Sequence, residues 1–162
     1  MTDEKQQLTF SKWLGLGFCV IYHIAWVAIL LGVGYNWDWD SFSSSTELAT
    51  RFAFIGALAG AFYCLRSLYL HGSVHRDWGN EWIAWHLIRP ITSAISSIFA
   101  FVMLKAGLIV LDSDQPASEI EQLWGFYFFA LIAGLNVDKF QMKIEEMGKT
   151  LFGVEPSRMN NK

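Results

Sequence analysis

The sequence predicts an all-α integral membrane protein, a four-helix bundle in lipid, and two features of the composition lead to that class. Apolar residues make up 53% of the 162 residues and charged residues 17%, whereas soluble domains hold about 45–50% and 25%. The apolar residues also gather in four long stretches that carry almost no charge. With 3 Pro, 2 Cys and a net charge of −3, the chain fits neither a disordered protein, a disulfide scaffold nor a nucleic-acid-binding domain.

Residues 1–152 are predicted to form a single transmembrane domain. It comprises spans at 13–34, 48–71, 90–111 and 119–137 and an amphipathic tail helix at 137–152, followed by a flexible tail at 153–162. Ser44 and Glu47 form a capping box before the second span, and Gly72 is predicted to end that span. Pro90 suits the first turn of the third span. The fourth span holds only 13 consecutive apolar residues, so a re-entrant segment is the alternative to a full crossing.

The distribution of cations predicts that both termini lie on the cytoplasmic side of a bacterial inner membrane. With the N-terminus inside, ten of the twelve Lys and Arg residues lie on the inner side, and only Arg51 and Lys105 lie outside. The outer side then carries a net charge of −5 and the inner side +2. This asymmetry is the one that the positive-inside rule describes.

Two amphipathic segments are predicted on the inner side. Trp78, Trp82 and Trp85 recur at intervals of four and three residues, which predicts a short helix in the membrane interface before Pro90 turns the chain into the third span. The tail helix at 137–152 carries an apolar stripe with charged residues on its other faces. It is predicted to lie on the membrane surface or to pack on the bundle, with a coiled coil as the alternative.

Small residues recur on the second and third spans at a spacing that lets helices approach closely. They are predicted to pack copies of the chain into a homo-oligomer, and packing within one chain is the alternative. The set comprises Ala53, Gly56, Ala57, Gly60, Ala61, Ser93 and Ser97.

His23 is the only ionisable residue close to the middle of a span, which makes it a candidate functional site in lipid. It can line a conduction path or sense pH, and the alternative is a neutral imidazole hydrogen-bonded to a neighbouring helix. His71 and His75 lie near Asp77 and Glu81 in the inner loop, but no recognised metal-ligand spacing occurs there. No metal, cofactor or catalytic residue is predicted.

The segment 133–140 reads Ala-Gly-Leu-Asn-Val-Asp-Lys-Phe and precedes the tail helix. It resembles the end of the last span in a group of uncharacterised bacterial four-helix integral membrane proteins, which reads Ala-Gly-Phe/Tyr-Ser/Asn-x-Glu/Asp-x-Phe. Residues 89–94 and 104–108 resemble the flanks of the penultimate span in that group. Leu135 departs from its usual aromatic residue, and Asn136-Val137 departs from the commoner Ser-Glu. The resemblance implies a fold and a topology but no activity.

By architecture alone, the chain is also similar to the small four-helix membrane subunit of Kiwa-type antiviral defence systems. That subunit is described as sensing the membrane and holding a soluble effector. The similarity therefore implies a sensing or scaffolding role, although a likeness of architecture carries little information about function.

These observations favour a non-enzymatic inner-membrane scaffold or sensor whose partners are the lipid bilayer, other copies of the chain and a soluble cytoplasmic effector, with no direct binding of nucleic acid. The residues predicted to dock the effector are Trp78, Trp82, Trp85, Asp138, Phe140 and Ile144. A cation-conducting pore is the alternative, because the acidic outer face would concentrate cations and His23 or the Ser93 and Ser97 face would line the path. A membrane-embedded enzyme is a further alternative, for which the spans lack clustered His and Asp residues.

Overall fold

The computed structural model describes residues 9–37, 44–107 and 119–153, and most of these residues are helical. Within these ranges the α-helices are α1 (Phe10–Asn36), α2 (Ser44–Tyr69), α3 (Trp82–Lys105), α4 (Glu119–Leu135) and α5 (Val137–Phe152). A π-helical turn, Leu70–Val74, continues α2. The predicted all-α class is confirmed for the described part of the chain.

In the part of the chain that the structure describes, three helical segments are long and apolar enough to cross a membrane, namely Phe10–Asn36, Ser45–Val74 and Trp82–Lys105. Their length and composition are those of a multi-pass membrane protein. The apolar part of α4, Trp124–Leu135, is shorter, so a crossing by α4 stays a prediction. The predicted end of the third span at 108–111 and the tail beyond 153 lie outside the described residues.

α2 lies at the centre of the bundle, where it contacts α1, α3 and α4. α4 and α5 are separated by a break at Asn136, whose backbone angles (φ −111°, ψ 43°) are not helical. Val137, the first residue of α5, is buried, and α5 contacts both α3 and α4. The amphipathic tail helix is therefore connected to α4 through Asn136 and also packs against α3 and α4.

Trp82 and Trp85 belong to the same helix as the third span, so the prediction of a separate interfacial helix that ends at Pro90 is wrong. α3 begins at Trp82 and continues through Pro90 to Lys105. Proline inside a helix removes the hydrogen bond to the carbonyl four residues earlier, which here is that of His86. The helix nevertheless continues, and a side chain of another helix lies within hydrogen-bonding distance of that carbonyl oxygen.

Gly72 does not end the second span, and the prediction that it does is also wrong. It is buried inside the π-helical turn, and the helical segment ends only after Val74. A Cβ atom at Gly72 would collide with Cδ1 of Leu16 on α1. The glycine therefore serves the close approach of α1 to this turn.

Gly56 and Gly134 bring the backbones of α2 and α4 into direct contact. A Cβ atom built on Gly134 would lie 2.7 Å from Cα and 2.9 Å from the carbonyl oxygen of Gly56. On the α3 side, a Cβ atom on Gly56 would lie 2.6 Å from the carbonyl oxygen of Ser93. No side chain fits between these helices, because atoms this close are already within van der Waals contact.

Serine hydroxyls join α3 to α4 across the same region. Ser97 Oγ donates to the carbonyl oxygen of Ala130 at 2.8 Å, and Ser96 Oγ donates to that of Ala133 at 3.2 Å. Six of the seven small residues predicted for oligomer packing are buried in the chain, and Ala53 is half-buried. Packing within one chain accounts for these residues without a second copy.

Candidate functional site

His23 on α1 meets α3 at the point where Pro90 interrupts the helical hydrogen bonds. Because Pro90 has no amide hydrogen, the carbonyl oxygen of His86 loses its usual helical donor. His23 Nε2 lies 3.1 Å from that oxygen, and His23 is fully buried. A side chain of α1 thus supplies the hydrogen bond that proline removes from α3.

Both ring nitrogens of His23 face carbonyl oxygens, because Nδ1 lies 2.7 Å from the carbonyl oxygen of Cys19. Carbonyl oxygens only accept, and a neutral imidazole has a single N–H. The Cys19 oxygen already accepts the backbone N–H of His23 within α1, whereas the His86 oxygen has lost its donor. A neutral imidazole therefore donates to one of the two oxygens, the tautomer with its proton on Nε2 donates to the His86 oxygen, and only the imidazolium donates to both.

The ring of His86 is enclosed by aromatic side chains. Its Nδ1 lies 2.9 Å from the carbonyl oxygen of Trp82, and its Nε2 is buried with no hydrogen-bond partner among the described residues. The ring centroids of Trp78 and Trp85 lie 5.1 Å and 4.9 Å from that of His86. His86 is thus held as part of an aromatic cluster, with one ring nitrogen bonded to its own helix.

Arg89, next to Pro90, is a buried cation with only 4% of its surface exposed. Its guanidinium carbon lies 4.9 Å from the ring centroid of Tyr63 and 5.0 Å from that of Trp85. Guanidinium groups bind aromatic faces in this geometry, and more strongly when water is excluded. The two rings therefore compensate part of the cost of burying the charge.

Arg89 also binds the junction of α4 and α5. Its Nη1 donates to Asp138 Oδ2 at 3.0 Å, and its Nη2 donates to the carbonyl oxygen of Leu135 at 3.4 Å. Leu135 ends α4 and Asp138 lies in the first turn of α5, so each contact also complements the dipole of a helix end. We call the set of Tyr63, Trp85, Arg89, Leu135 and Asp138 the Arg89 clamp.

Three of the six predicted docking residues belong to the Arg89 clamp or to the buried interior. Trp85 and Asp138 belong to the clamp, and Trp78 is 1% exposed, within a buried cluster with Cys19 and Leu68. These three residues therefore make contacts within the chain, and 73% of the Asp138 side chain is nevertheless exposed.

The other three predicted docking residues reach the surface to different extents. Phe140 is half-buried against Phe129, with ring centroids 6.3 Å apart, and Ile144 is half-buried beside it on α5. Trp82 is 40% exposed and stacks on His71 at 5.1 Å between ring centroids. The structure thus does not gather the six residues into one exposed surface.

The turn between α2 and α3 carries an exposed polar contact. His71 Nδ1 lies 2.8 Å from Asp77 Oδ1, and this hydrogen bond is the main cause that lowers the pKa of Asp77. His75 lies beside His71, with ring centroids 5.8 Å apart. The described residues nevertheless contain no group of three or more His, Cys, Asp or Glu side chains that could hold a metal ion.

A groove of about 410 Å³ lies between α3 and α5. Its volume falls in the range of about 300–1,000 Å³ that is usual for small-molecule sites. The lining residues are Thr92, Ile95, Ser96 and Phe99 of α3 and Phe140, Gln141, Ile144 and Glu145 of α5. Half of them are apolar, and Glu145 is the charged residue among them.

The sequence pattern did not identify Arg89 or the groove as sites. In the sequence, Arg89 is one of the inner-side cations and begins the segment 89–94 that resembles a span flank, and an Arg-Pro pair beside a long apolar segment is the signal that could have identified it. Its partner Asp138 lies 49 residues away in the sequence, and no periodicity links the two. The groove needs α5 to lie beside α3, which no local pattern predicts.

Comparison of the chain with protein-family models, curated proteins and solved structures finds no significant match to any of them.

Proposed function

We propose that this chain is a non-enzymatic scaffold or sensor of a bacterial inner membrane, whose helical bundle presents α5 to a soluble cytoplasmic partner. In this proposal the chain crosses the membrane four times and keeps both termini in the cytoplasm, as the distribution of cations predicts. The observation that carries the proposal is the Arg89 clamp, which ties the first turn of α5 to the interior of the bundle.

The clamp gives α5 a defined orientation relative to the bundle. Arg89 contacts side chains from α2, α3 and α5 and the end of α4. A helix attached only by a flexible joint would present its surface in many directions and would lose more entropy on binding a partner. The clamp reduces that loss of entropy. Because Arg89 contacts all of these helices, a movement of α2, α3 or α4 would also change the position of α5.

The face of α5 that points away from the groove is suited to a soluble partner. Its residues are Lys139, Met142, Lys143 and Glu146, which are spaced so that they share one side of the helix and are all exposed. Lys143 Nζ pairs with Glu146 Oε2 at 2.5 Å. With two cations, one acid and one apolar side chain, this 139–146 face is complementary to an acidic surface with an apolar centre.

The alternative of a cation-conducting pore lacks support from the residues that motivated it. His23, Ser93 and Ser97 are fully buried in contacts between helices of a single chain. Conductance of the purified protein in planar bilayers tests this alternative directly. A membrane-embedded enzyme stays a further alternative.

A homo-oligomer and a place in an antiviral defence system stay predictions. The mass of the detergent-solubilised particle tests the first, and the identity of the protein that co-purifies tests the second. Two fusions after Lys162 test the orientation. A fluorescent protein fused there is expected to fluoresce in the cytoplasm, and a phosphatase that is active only in the periplasm is expected to be inactive.

The central experiment removes the 139–146 face without touching the clamp. Tagged protein with Lys139→Glu and Lys143→Glu is compared with wild type and with a matched control, Arg66→Glu and Arg76→Glu, which reverses two exposed cations elsewhere. The partner recovered with the wild type is purified separately and rebound to the chain in nanodiscs. Rebinding is expected for the wild type and the control and is expected to be lost for the 139–146 variant.

Truncation after Asn136 is a second test, because it removes all of α5. If the same partner is recovered equally well from the truncated chain, α5 is not the docking element and the proposal is wrong.

A further inference from the structure

We propose that the groove between α3 and α5 binds a single phospholipid of the inner leaflet whose headgroup carries an ammonium group, as phosphatidylethanolamine does. This inference rests on the proposed membrane placement but not on the soluble partner. Nothing in the docking of a partner to the 139–146 face requires the groove to be occupied.

The wall of the groove that α3 contributes is part of the lipid-facing surface. Ile95 and Phe99 line the groove and are 48% and 54% exposed in a helix that is long and apolar enough to cross a membrane. Ile91, on the same side, is also exposed. Acyl chains that cover this side of α3 therefore have direct access to the groove.

The groove changes in polarity along α3. From Thr92 to Phe99 the helix rises by about 10 Å, at about 1.5 Å per residue. Thr92 lies close to the buried cation Arg89, and beyond it Ile95 and Phe99 are apolar, whereas the hydroxyl of Ser96, which also lines this wall, is bonded to the carbonyl oxygen of Ala133. This order, polar at the level of the headgroups and apolar beyond it, matches a phospholipid with its glycerol beside Thr92 and an acyl chain along Phe99.

Glu145 determines which headgroup fits best. It is the charged residue among those that line the groove, it is half-buried, and it has no ion-pair partner within the described part of the chain. Its neighbour Glu146 points to the other side of α5 and pairs with Lys143. A carboxylate in this position attracts an ammonium group and repels an anionic headgroup such as that of phosphatidylglycerol.

One polar donor in the groove is left for the phosphate or ester oxygens. The hydroxyl of Thr92 already donates to the carbonyl oxygen of Arg89 at 3.0 Å, and that of Ser96 donates to Ala133. The amide of Gln141 has no hydrogen-bond partner among the described residues, and it lies one turn before Glu145 on α5. Gln141 and Glu145 therefore provide a donor and an acceptor on the same side of one helix, as a zwitterionic headgroup requires.

The test measures lipid bound to the intact protein by native mass spectrometry. Protein delipidated in detergent is titrated with dioleoyl phosphatidylethanolamine or with dioleoyl phosphatidylglycerol. The variants come in two matched pairs. Glu145→Gln changes the groove and Glu146→Gln makes the same change on the opposite face, whereas Ile95→Trp fills the groove and Ile91→Trp adds the same bulk beside it.

The wild type is expected to retain one phosphatidylethanolamine more strongly than phosphatidylglycerol. Glu145→Gln is expected to lower that preference by about two- to five-fold, the effect of one partly exposed ion pair. Ile95→Trp is expected to abolish the retained lipid, while Glu146→Gln and Ile91→Trp are expected to match the wild type. The circular dichroism of each variant is compared with wild type, so that loss of binding is separated from loss of fold.

Three outcomes overturn the inference. Equal retention of the two lipids by the wild type would remove the role of Glu145. An equal loss of retained lipid in the two Trp variants would show that lipid covers this surface generally and does not bind at a specific site. A protein dimer that Ile95→Trp dissociates would show that a second copy fills the groove. None of these results bears on the binding of a soluble partner, so failure here and failure of the proposed function are distinguishable.

Discussion

α2 is packed on two sides in different ways, and the difference shows how helices are held together in lipid. On the α4 side, Gly56 and Gly134 bring two backbones into contact. On the α1 side, apart from Gly72 in the turn that continues α2, the contacts include side chains, among which Cys19, Leu68 and Trp78 form a buried cluster. The first contact depends on the absence of side chains and the second on their presence.

Hydrogen bonds are also distributed differently on the two sides. α4 is bound by the hydroxyls of two serines and by the Arg89 clamp, whereas α1 is bound to α3 by His23 and by Tyr22, whose hydroxyl donates to the carbonyl oxygen of Leu87 at 3.0 Å. Only 17% of the most apolar window of α1 is buried, against 39% in each of the other two candidate spans. Lipid provides no hydrophobic drive between helices, so close packing and hydrogen bonds must hold them together. We therefore expect substitutions on the α4 side to lower the free energy of unfolding more than substitutions on the α1 side.

The largest effect is expected where the buried cation loses its partner. Asp138→Ala removes the carboxylate partner of the buried Arg89 guanidinium and leaves it the Leu135 carbonyl and two rings, which is expected to lower the free energy of unfolding by about 2–4 kcal/mol. Denaturant unfolding in detergent measures it. The matched control is Glu146→Ala on the same helix, which removes half of an exposed ion pair and is expected to cost about 0–1 kcal/mol. Equal effects of the two substitutions would show that the clamp contributes no more than a surface pair.

The next effect concerns the backbone contact on the α4 side. Gly134→Ala places a methyl group against Gly56 and is expected to cost about 1–3 kcal/mol, because the two helices must separate. Gly17→Ala on α1 is the control, since nothing lies within 4 Å of the added atom. That control is expected to be neutral or slightly stabilising, because alanine favours the helix over glycine. Thermal unfolding of both variants in the same detergent decides between close packing and a general sensitivity of the fold to added methyl groups.

A smaller effect tests the hydrogen bond on the α1 side. His23→Phe is expected to cost about 1 kcal/mol, because the His86 carbonyl loses the donor that replaced the one missing at Pro90. In a Pro90→Ala background, the alanine amide can serve that carbonyl, so His23→Phe is expected to cost less there. A double-mutant cycle of unfolding free energies measures the difference. A cycle without coupling would mean that His23 stabilises α3 by some means other than the proline gap.

The smallest effect is expected at the exposed turn that precedes α3. Because the hydrogen bond from His71 lowers the pKa of Asp77 below its ordinary value of 3.8, the carboxylate form is favoured in the folded protein. This contribution to stability is present above the ordinary pKa and is lost as the pH falls through the lowered pKa. The unfolding temperature of wild type and Asp77→Asn, measured against pH, is expected to differ at neutral pH and to converge in acid. A difference that persists unchanged in acid would assign the effect to something other than this carboxylate.

The helices themselves follow from local patterns along the chain. Long stretches without charge become helices because lipid offers no partner for backbone N–H and C=O groups, so that these groups must be satisfied within each segment. The stripe at 137–152 predicts an amphipathic helix, and α5 occupies Val137–Phe152. The contacts of the candidate sites could not be predicted from such local patterns. His23 was identified by its unusual place in an apolar span, but the carbonyl that it serves could not be.

The amino-acid sequence by itself determined which segments are helical and apolar enough for a membrane, since these are properties of consecutive residues. Only the tertiary structure decided that α3 continues through Pro90, that Arg89 is buried against Asp138, and that the small residues face helices of their own chain. The physical reason is that a pattern along one helix shows which face needs a neighbour and carries no information about the neighbour itself. Whether a proline breaks a helix, or an arginine is tolerated in its interior, depends on the donors, acceptors and rings that distant parts of the chain bring to it.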